Sequence, residues 1–193
     1  MRNIYLLCSI GAVVLIFLGI YSIRSDKKMM GVYWGAFDPP TEAHIAIITA
    51  ALNDPAIEKV LVVVNNHAYK NYTFPLGVRL RMMKKVIDKY GLKNVELLWQ
   101  DDTHRLDILA LRKMTNAPIC AIAGYDAYKK WVDFSTPEER SSFDAIAVVP
   151  RDNDSPVLFD KITFILPINT KYRDISSTKL RAQLTSPEIE NNH

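Results

Sequence analysis

From residue 31 to residue 184, short apolar runs alternate with stretches whose apolar residues recur at helical spacing. That alternation is satisfied by a mostly parallel sheet with right-handed crossover helices. Gly31 to Phe37 reads as the first buried strand. Lys59 to Val64 is a β-branched run without polar alternation, as in a strand covered on both faces. Val95 to Trp99, Ile119 to Ala123, Ala145 to Val149 and Ile162 to Leu166 read as further strands. Between them the pattern predicts helices. One runs from Thr41 to about Asn53, with Ile45, Ile48 and Leu52 on its buried side. Others cover Pro75 to Tyr90, closed by Gly91, then Leu106 to Met114, a segment starting near Asp126, and Ser176 to Leu184. Asn65 to Phe74 predicts a loop. The predicted class is α/β: a Rossmann-like, mostly parallel sheet with helices on both faces. In such sheets ligands bind at the carboxyl ends of the strands, where the strand order reverses.

The segment ahead of this pattern is of another kind. Residues 4–23 carry no charged side chain, with Tyr5 and Tyr21 near the two ends. A helix of about 20 residues spans a hydrocarbon core of roughly 30 Å. The run is long for a signal-peptide core, and Ser22-Ile23-Arg24-Ser25 has no small-residue cleavage pattern. The expected organisation is therefore one N-terminal transmembrane helix with its flanks at 1–28, an α/β domain at 29–186 and a flexible tail at 187–193. Arg24, Lys27 and Lys28 follow the span and only Arg2 precedes it, which favours a cytoplasmic domain. Those four cations and Asp26 also account for the net charge of +3, so the remainder balances. That balance argues against a broad nucleic-acid footprint. Cys8 and Cys120 are too few for a disulfide framework and fit a reducing compartment.

Two segments carry the chemistry. The first is Gly35-Ala36-Phe37-Asp38-Pro39-Pro40-Thr41-Glu42-Ala43-His44, directly after the first strand. Gly35 and Ala36 leave room for close backbone approach, Asp38 to Pro40 turn the chain, and Thr41 opens a helix. A helix N-terminus offers free N–H groups and partial positive charge to an anion. His44 lies on the first turn of that helix, so its ring can face the same site. The second segment is Ile175-Ser176-Ser177-Thr178-Lys179-Leu180-Arg181, another hydroxyl-rich helix start ending in a cation. Together they suit a nucleoside triphosphate.

The first segment resembles the G-x-F-D-P-x-[HT]-x-G-H signature of the nucleotidyltransferase superfamily, and the second is similar to its I-S-S-T-x-[IL]-R motif. Gly124-Tyr125-Asp126, Trp131 and Val148-Val149-Pro150-Arg151 resemble the G-x-D … W … V-x-x-R pattern of nicotinate or nicotinamide mononucleotide adenylyltransferases. Arg79-Leu80-Arg81-Met82-Met83 is similar to the R-L-x-M-L stretch of the same family. The chain departs at Ala43, where the signature has Gly, and at Thr41, where the nicotinate enzymes have His. Phosphopantetheine adenylyltransferases carry Thr there. Thr103 to Leu109 is a poor match to the substrate loop of the bacterial nicotinate enzymes, which leaves the acceptor base open between nicotinate and nicotinamide. His104 and Arg105 are either contacts to it or solvated residues at a helix start.

The resemblance implies transfer of AMP from ATP to nicotinate or nicotinamide mononucleotide with release of pyrophosphate, a step of NAD biosynthesis. The alternatives are a phosphopantetheine adenylyltransferase-like enzyme and an inactive, membrane-tethered nucleotide-binding protein. It implies catalytic roles for His44, Thr41 and Arg181. ATP contacts are implied at Gly35, Ala36, Phe37, Asp38, Gly124, Asp126, Ile175, Ser176, Ser177 and Thr178. Acceptor contacts are implied at Lys70, Trp131 and Arg151. Mg²⁺ would arrive with ATP rather than in a dedicated protein cage; His44, His67 and His104 show no metal-ligand spacing.

Overall fold

The computed structural model describes residues 27–150, 156–159 and 162–184. The expected membrane span, the tail at 187–193 and Arg151 lie outside the described residues. Among those described, no helix is long and apolar enough to cross a membrane.

Six strands, β1 (Met29–Gly35), β2 (Ile57–Asn65), β3 (Val95–Gln100), β4 (Ile119–Gly124), β5 (Ala145–Val149) and β6 (Thr163–Ile165), form one sheet in the order β3-β2-β1-β4-β5-β6. Every neighbouring pair is parallel. The helices are α1 (Glu42–Asn53), α2 (Leu76–Lys89), α3 (Ile108–Met114), α4 (Tyr125–Phe134), α5 (Pro137–Ser141) and α6 (Ser177–Leu184), with a 3₁₀ turn at Thr170–Tyr172.

The period-two geometry of the strands divides the core. Val60, Val62 and Val64 meet Ile45 and Ile48 of α1 and Met83 and Ile87 of α2 on one face. Leu61 and Val63 meet Leu111 of α3 on the other, where Tyr125 and Tyr128 of α4 also pack against Ile146 and Val148. The sheet is thus covered on both sides, and this is why its central strands show no polar alternation. The chain runs outward from β1 to β3 and then returns to place β4 on the other side of β1. The strand order reverses between β1 and β4, so a cleft opens at their carboxyl ends, beside Gly35 and Gly124.

Candidate active site

The first segment folds tightly at this reversal. Phe37 adopts a left-handed backbone with φ of 47°, unfavourable for a bulky residue by about 1–3 kcal/mol. Its ring is 1% exposed and packs edge-on against Tyr33 at 5.4 Å and His44 at 4.9 Å. Burying such a side chain contributes about 1.5–3 kcal/mol, enough to offset the strain. The ring also explains Gly35: a Cβ there would come within 2.7 Å of it. Room at Gly35 therefore serves Phe37, and any ligand contact made by Phe37 is through its backbone.

Asp38 is 3% exposed, and its carboxylate accepts from the N–H groups of Thr73, at 2.7 Å, and Phe74, at 2.9 Å. It ties the turn to the loop after β2. Arg79, on α2, strengthens the same junction. Its guanidinium donates to the carbonyls of Ala36 (2.7 Å), Asn65 (2.8 Å) and Phe74 (2.9 Å) and to Asn66 Oδ1 (2.6 Å). It also lies 3.9 Å from the centre of the Tyr72 ring. Burial lowers the pKa of Arg79, against the nearby Tyr72 and Asp38, yet a guanidinium stays charged. The sequence marks Arg79 only as part of an R-L-x-M-M stretch; its anchoring of the turn is visible only in three dimensions.

Thr41 caps α1, and His44 bonds back to it. The Thr41 backbone N–H donates to His44 Nδ1 at 2.9 Å, and the Thr41 hydroxyl lies at the same distance from that nitrogen. A nitrogen that accepts an N–H bond carries no hydrogen, so the proton of the neutral imidazole resides on Nε2. His44 is thereby fixed as an Nε2–H donor on the first turn of a helix.

The second segment meets the first directly. Ser177 Oγ donates to the Pro39 carbonyl at 2.8 Å, and Arg181 donates to the Asp38 carbonyl and lies 3.9 Å from its carboxylate. Arg181 also bonds Thr178 Oγ1 at 3.1 Å, while Ser176 Oγ accepts the Lys179 N–H at 3.2 Å. Residues well over a hundred positions apart are thus brought into direct contact. Gly124, Ala43, Pro150 and Ile175 line a small cleft between α1 and the ends of β4 and β5. The methyl of Ala43 takes up part of that space. Asp126 is exposed on the first turn of α4, with Lys129 at 3.9 Å.

The acceptor candidates are less gathered. Lys70 is exposed in the loop after β2, with its ammonium 5.6 Å from the Tyr69 ring. Trp131 is half-buried and meets Phe143 edge-on at 5.4 Å, a packing role in α4. His67 and Asp102, which the sequence did not single out, join the loops after β2 and β3. Asp102 accepts from Ala68 N–H at 2.8 Å and pairs with His67 Nδ1 at 2.9 Å. These bonds, the Ala68 one first, hold its carboxyl below the usual aspartate range. His104 lies against Trp99, the ring centres 5.4 Å apart.

Residues 32–183 match the Cytidylyltransferase-like family. The chain belongs to this family. Among curated proteins it is similar to phosphopantetheine adenylyltransferases. That of Fusobacterium nucleatum is 42% identical over 59 residues, or 31% of this chain and 35% of that protein. That of Natranaerobius thermophilus is 38% identical over 66 residues, or 34% and 38%. The chain thus spans little more than a third of the length of these relatives. Among solved structures, Plasmodium falciparum nicotinic acid mononucleotide adenylyltransferase complexed with NaAD superposes with a TM-score of 0.65, covering 83% of this chain and 85% of that one at 18% identity. The same enzyme complexed with APC gives 0.65 at 19%. At such identity the likeness speaks for the fold alone. This cytidylyltransferase-like chain carries the Rossmann-like sheet expected of it, and the segments 35–44 and 175–181 meet beyond the carboxyl end of β1.

Proposed function

We propose that the chain is an adenylyltransferase that transfers AMP from ATP to nicotinate or nicotinamide mononucleotide. A phosphate oxygen of the mononucleotide attacks the α-phosphorus, the bond from that phosphorus to the bridging oxygen breaks, and pyrophosphate leaves with the bonding pair. The nucleophile is already an anion, so no general base is needed and catalysis rests on positioning and charge stabilisation. The observation that carries this reading is the fixed Nε2–H of His44 at the N-terminus of α1, beside the strand-order reversal. In this role His44 donates to an α-phosphate oxygen and Thr41 to a neighbouring one. The start of α6 holds the β- and γ-phosphates, with Arg181 as the cation beside them. Gly124 and Asp126 meet the adenosine, while Lys70, Trp131 and Arg151 meet the acceptor. Mg²⁺ would ride in with the triphosphate and would supply charge neutralisation there. Among the described residues no group of three or more His, Cys, Asp or Glu side chains could hold a metal.

Phosphopantetheine as the acceptor is the second reading, supported by the names of the curated relatives and by Thr41. Pyrophosphate release measured with ATP and each of the three acceptors separates them. A pyridine mononucleotide is expected to be turned over fastest. Release with phosphopantetheine alone selects the second reading. ATP binding without release for any acceptor selects an inactive nucleotide-binding protein. The full-length chain is proposed to reside in a membrane through residues 4–23 with the domain on the cytoplasmic side; alkaline extraction of membranes tests this.

A further inference from the structure

Two histidines at the carboxyl side of the sheet are fixed in opposite tautomers. His44 accepts the Thr41 N–H at Nδ1 and so carries its hydrogen on Nε2. His67 Nδ1 instead meets Asp102 Oδ1 at 2.9 Å, while Asp102 Oδ2 accepts the Ala68 N–H at 2.8 Å. These bonds hold the Asp102 carboxyl below the usual range, and a carboxylate can only accept. The hydrogen between the two residues therefore belongs to His67 Nδ1. In the neutral ring Nε2 then carries no hydrogen and can only accept. The rest of His67 is held as firmly. Its N–H donates to Tyr72 Oη at 3.0 Å, its carbonyl accepts the Lys70 N–H at 3.1 Å, and the Tyr69 ring stacks on its own at 5.3 Å and 18°. The side chain is 14% exposed, and a hydrogen bond in such surroundings discriminates more than one in water.

Both residues stand on the side of the cleft away from Gly124. β2 pairs β1 opposite β4, with Val64 beside Gly35. Arg79 ties the Asn65 and Ala36 carbonyls together, so the loop carrying His67 and Lys70 flanks the first segment. Resting on the proposed transfer to a pyridine mononucleotide, we propose that His67 Nε2 reads the pyridine substituent and selects the carboxamide of nicotinamide over the carboxylate of nicotinate. A carboxamide has N–H hydrogens to give to Nε2. A carboxylate has none, and its lone pairs would face the lone pair of the ring. The charge of Asp102 behind the ring adds to that rejection. Asp102 is the positioning residue, since it keeps the hydrogen on Nδ1.

Pyrophosphate release with the two mononucleotides in parallel, at pH about 8 and so above the ordinary imidazole range, tests it. The kcat/KM for nicotinamide mononucleotide is expected to exceed that for nicotinate mononucleotide about tenfold or more, because a site built to bond a substrate N–H rejects the analogue lacking it. Asp102→Asn turns the pair round. Its amide oxygen keeps the Ala68 N–H, its amide nitrogen donates to His67 Nδ1, and the ring hydrogen moves to Nε2. The preference should then invert toward nicotinate. His67→Phe keeps a ring against Tyr69, removes both nitrogens and should bring the two acceptors within about threefold of each other. Amide protection of β1, β2 and β4 reports that each variant is folded; His67→Asn, too short to reach the substituent, replaces a Phe variant that is not. Equal use of the two acceptors by the parent, or preference for nicotinate, overturns the inference and leaves AMP transfer to a pyridine mononucleotide standing. So does a preference that persists in His67→Phe or fails to invert in Asp102→Asn. No release with either mononucleotide brings down that reading and the inference together.

Discussion

Arg79 offers the most direct test of how the site is held. It is fully buried and supplies the donors for three backbone carbonyls and one amide oxygen. Arg79→Met keeps much of the volume and removes every donor. Each buried polar group left without a partner costs about 1–3 kcal/mol. Relaxation and water entry recover part of this, so a net loss of about 3–5 kcal/mol is expected, the range for breaking a buried charged network. Domains have about 5–15 kcal/mol in total, so the variant should fold but stand close to its limit. In urea, with a slope of about 1–3 kcal/mol per molar, the midpoint should fall by roughly 1–5 M at unchanged slope. Arg79→Lys retains charge and loses the planar fork, so an intermediate fall is expected. Because the Ala36 carbonyl belongs to the first segment, the Lys variant should also bind ATP more weakly. A midpoint shift below about 0.3 M for Arg79→Met would refute the assignment of Arg79 as the anchor of the turn.

His44→Ala should cut pyrophosphate release by about 10²-fold or more, the range for losing one transition-state donor, with the fold intact. His44→Asn, which can still accept the Thr41 N–H yet reaches no further, should be nearly as slow; near-normal turnover in either would remove His44 from catalysis. Ser177→Ala deletes the bond to the Pro39 carbonyl and should cost about 1 kcal/mol of stability, with a several-fold rise in the KM for ATP. No change in either quantity would show that the two segments do not depend on that contact. The Asp102 carboxyl has a lowered pKa in the folded protein, so its contribution is present above the unfolded value of about 3.9 and is lost as pH falls through the folded value. Ala68 amide exchange should therefore be faster in Asp102→Asn than in the parent at pH about 6 and converge with it in strong acid; equal rates at the higher pH would dismiss the Asp102 tie.

The strands were the most legible part of the chain because a buried parallel strand is apolar throughout, and Val60 to Val64 show this without a break. The helices followed from spacing and from Gly91, which takes a left-handed conformation two residues past α2. β1 starts two residues earlier than the apolar run suggested, because Met29 bonds across to Ala56. α5 was overlooked although its signal is present: Thr136 and Glu139 cap each other around Pro137, in a helix too short to show a period. In the site, composition and spacing revealed which residues bear chemistry and not which of them support others. Phe37 and Asp38 read as ligand contacts, and the side chains prove to be core and loop tie. Trp131 is implied as an acceptor contact, and its perpendicular packing on Phe143 is a second role that spacing does not reveal. Such roles depend on partners far away in sequence, Thr73 for Asp38 and Asn65 for Arg79, and no local pattern encodes them.

The two edges of the sheet follow from one topological fact. Five parallel pairings require that every strand start on one side and end on the other. Strand ends and the loops that leave them are then free to carry Gly35, Asp38, His67, Asp102 and Gly124 around the reversal, while loops that enter strands must only turn and pair. The loops that enter β2, β3 and β4 are short, and Asp54 with Ala56 and Asp144 with Ile119 close the edge locally. Charge placed there cannot reach the cleft, so the lysines of that edge can be varied without touching the chemistry. Substitutions at the amino edge such as Lys93→Glu should therefore leave pyrophosphate release unchanged, while those at His44 should slow it. A loss of turnover on Lys93→Glu in a folded protein would contradict the separation that the parallel topology imposes.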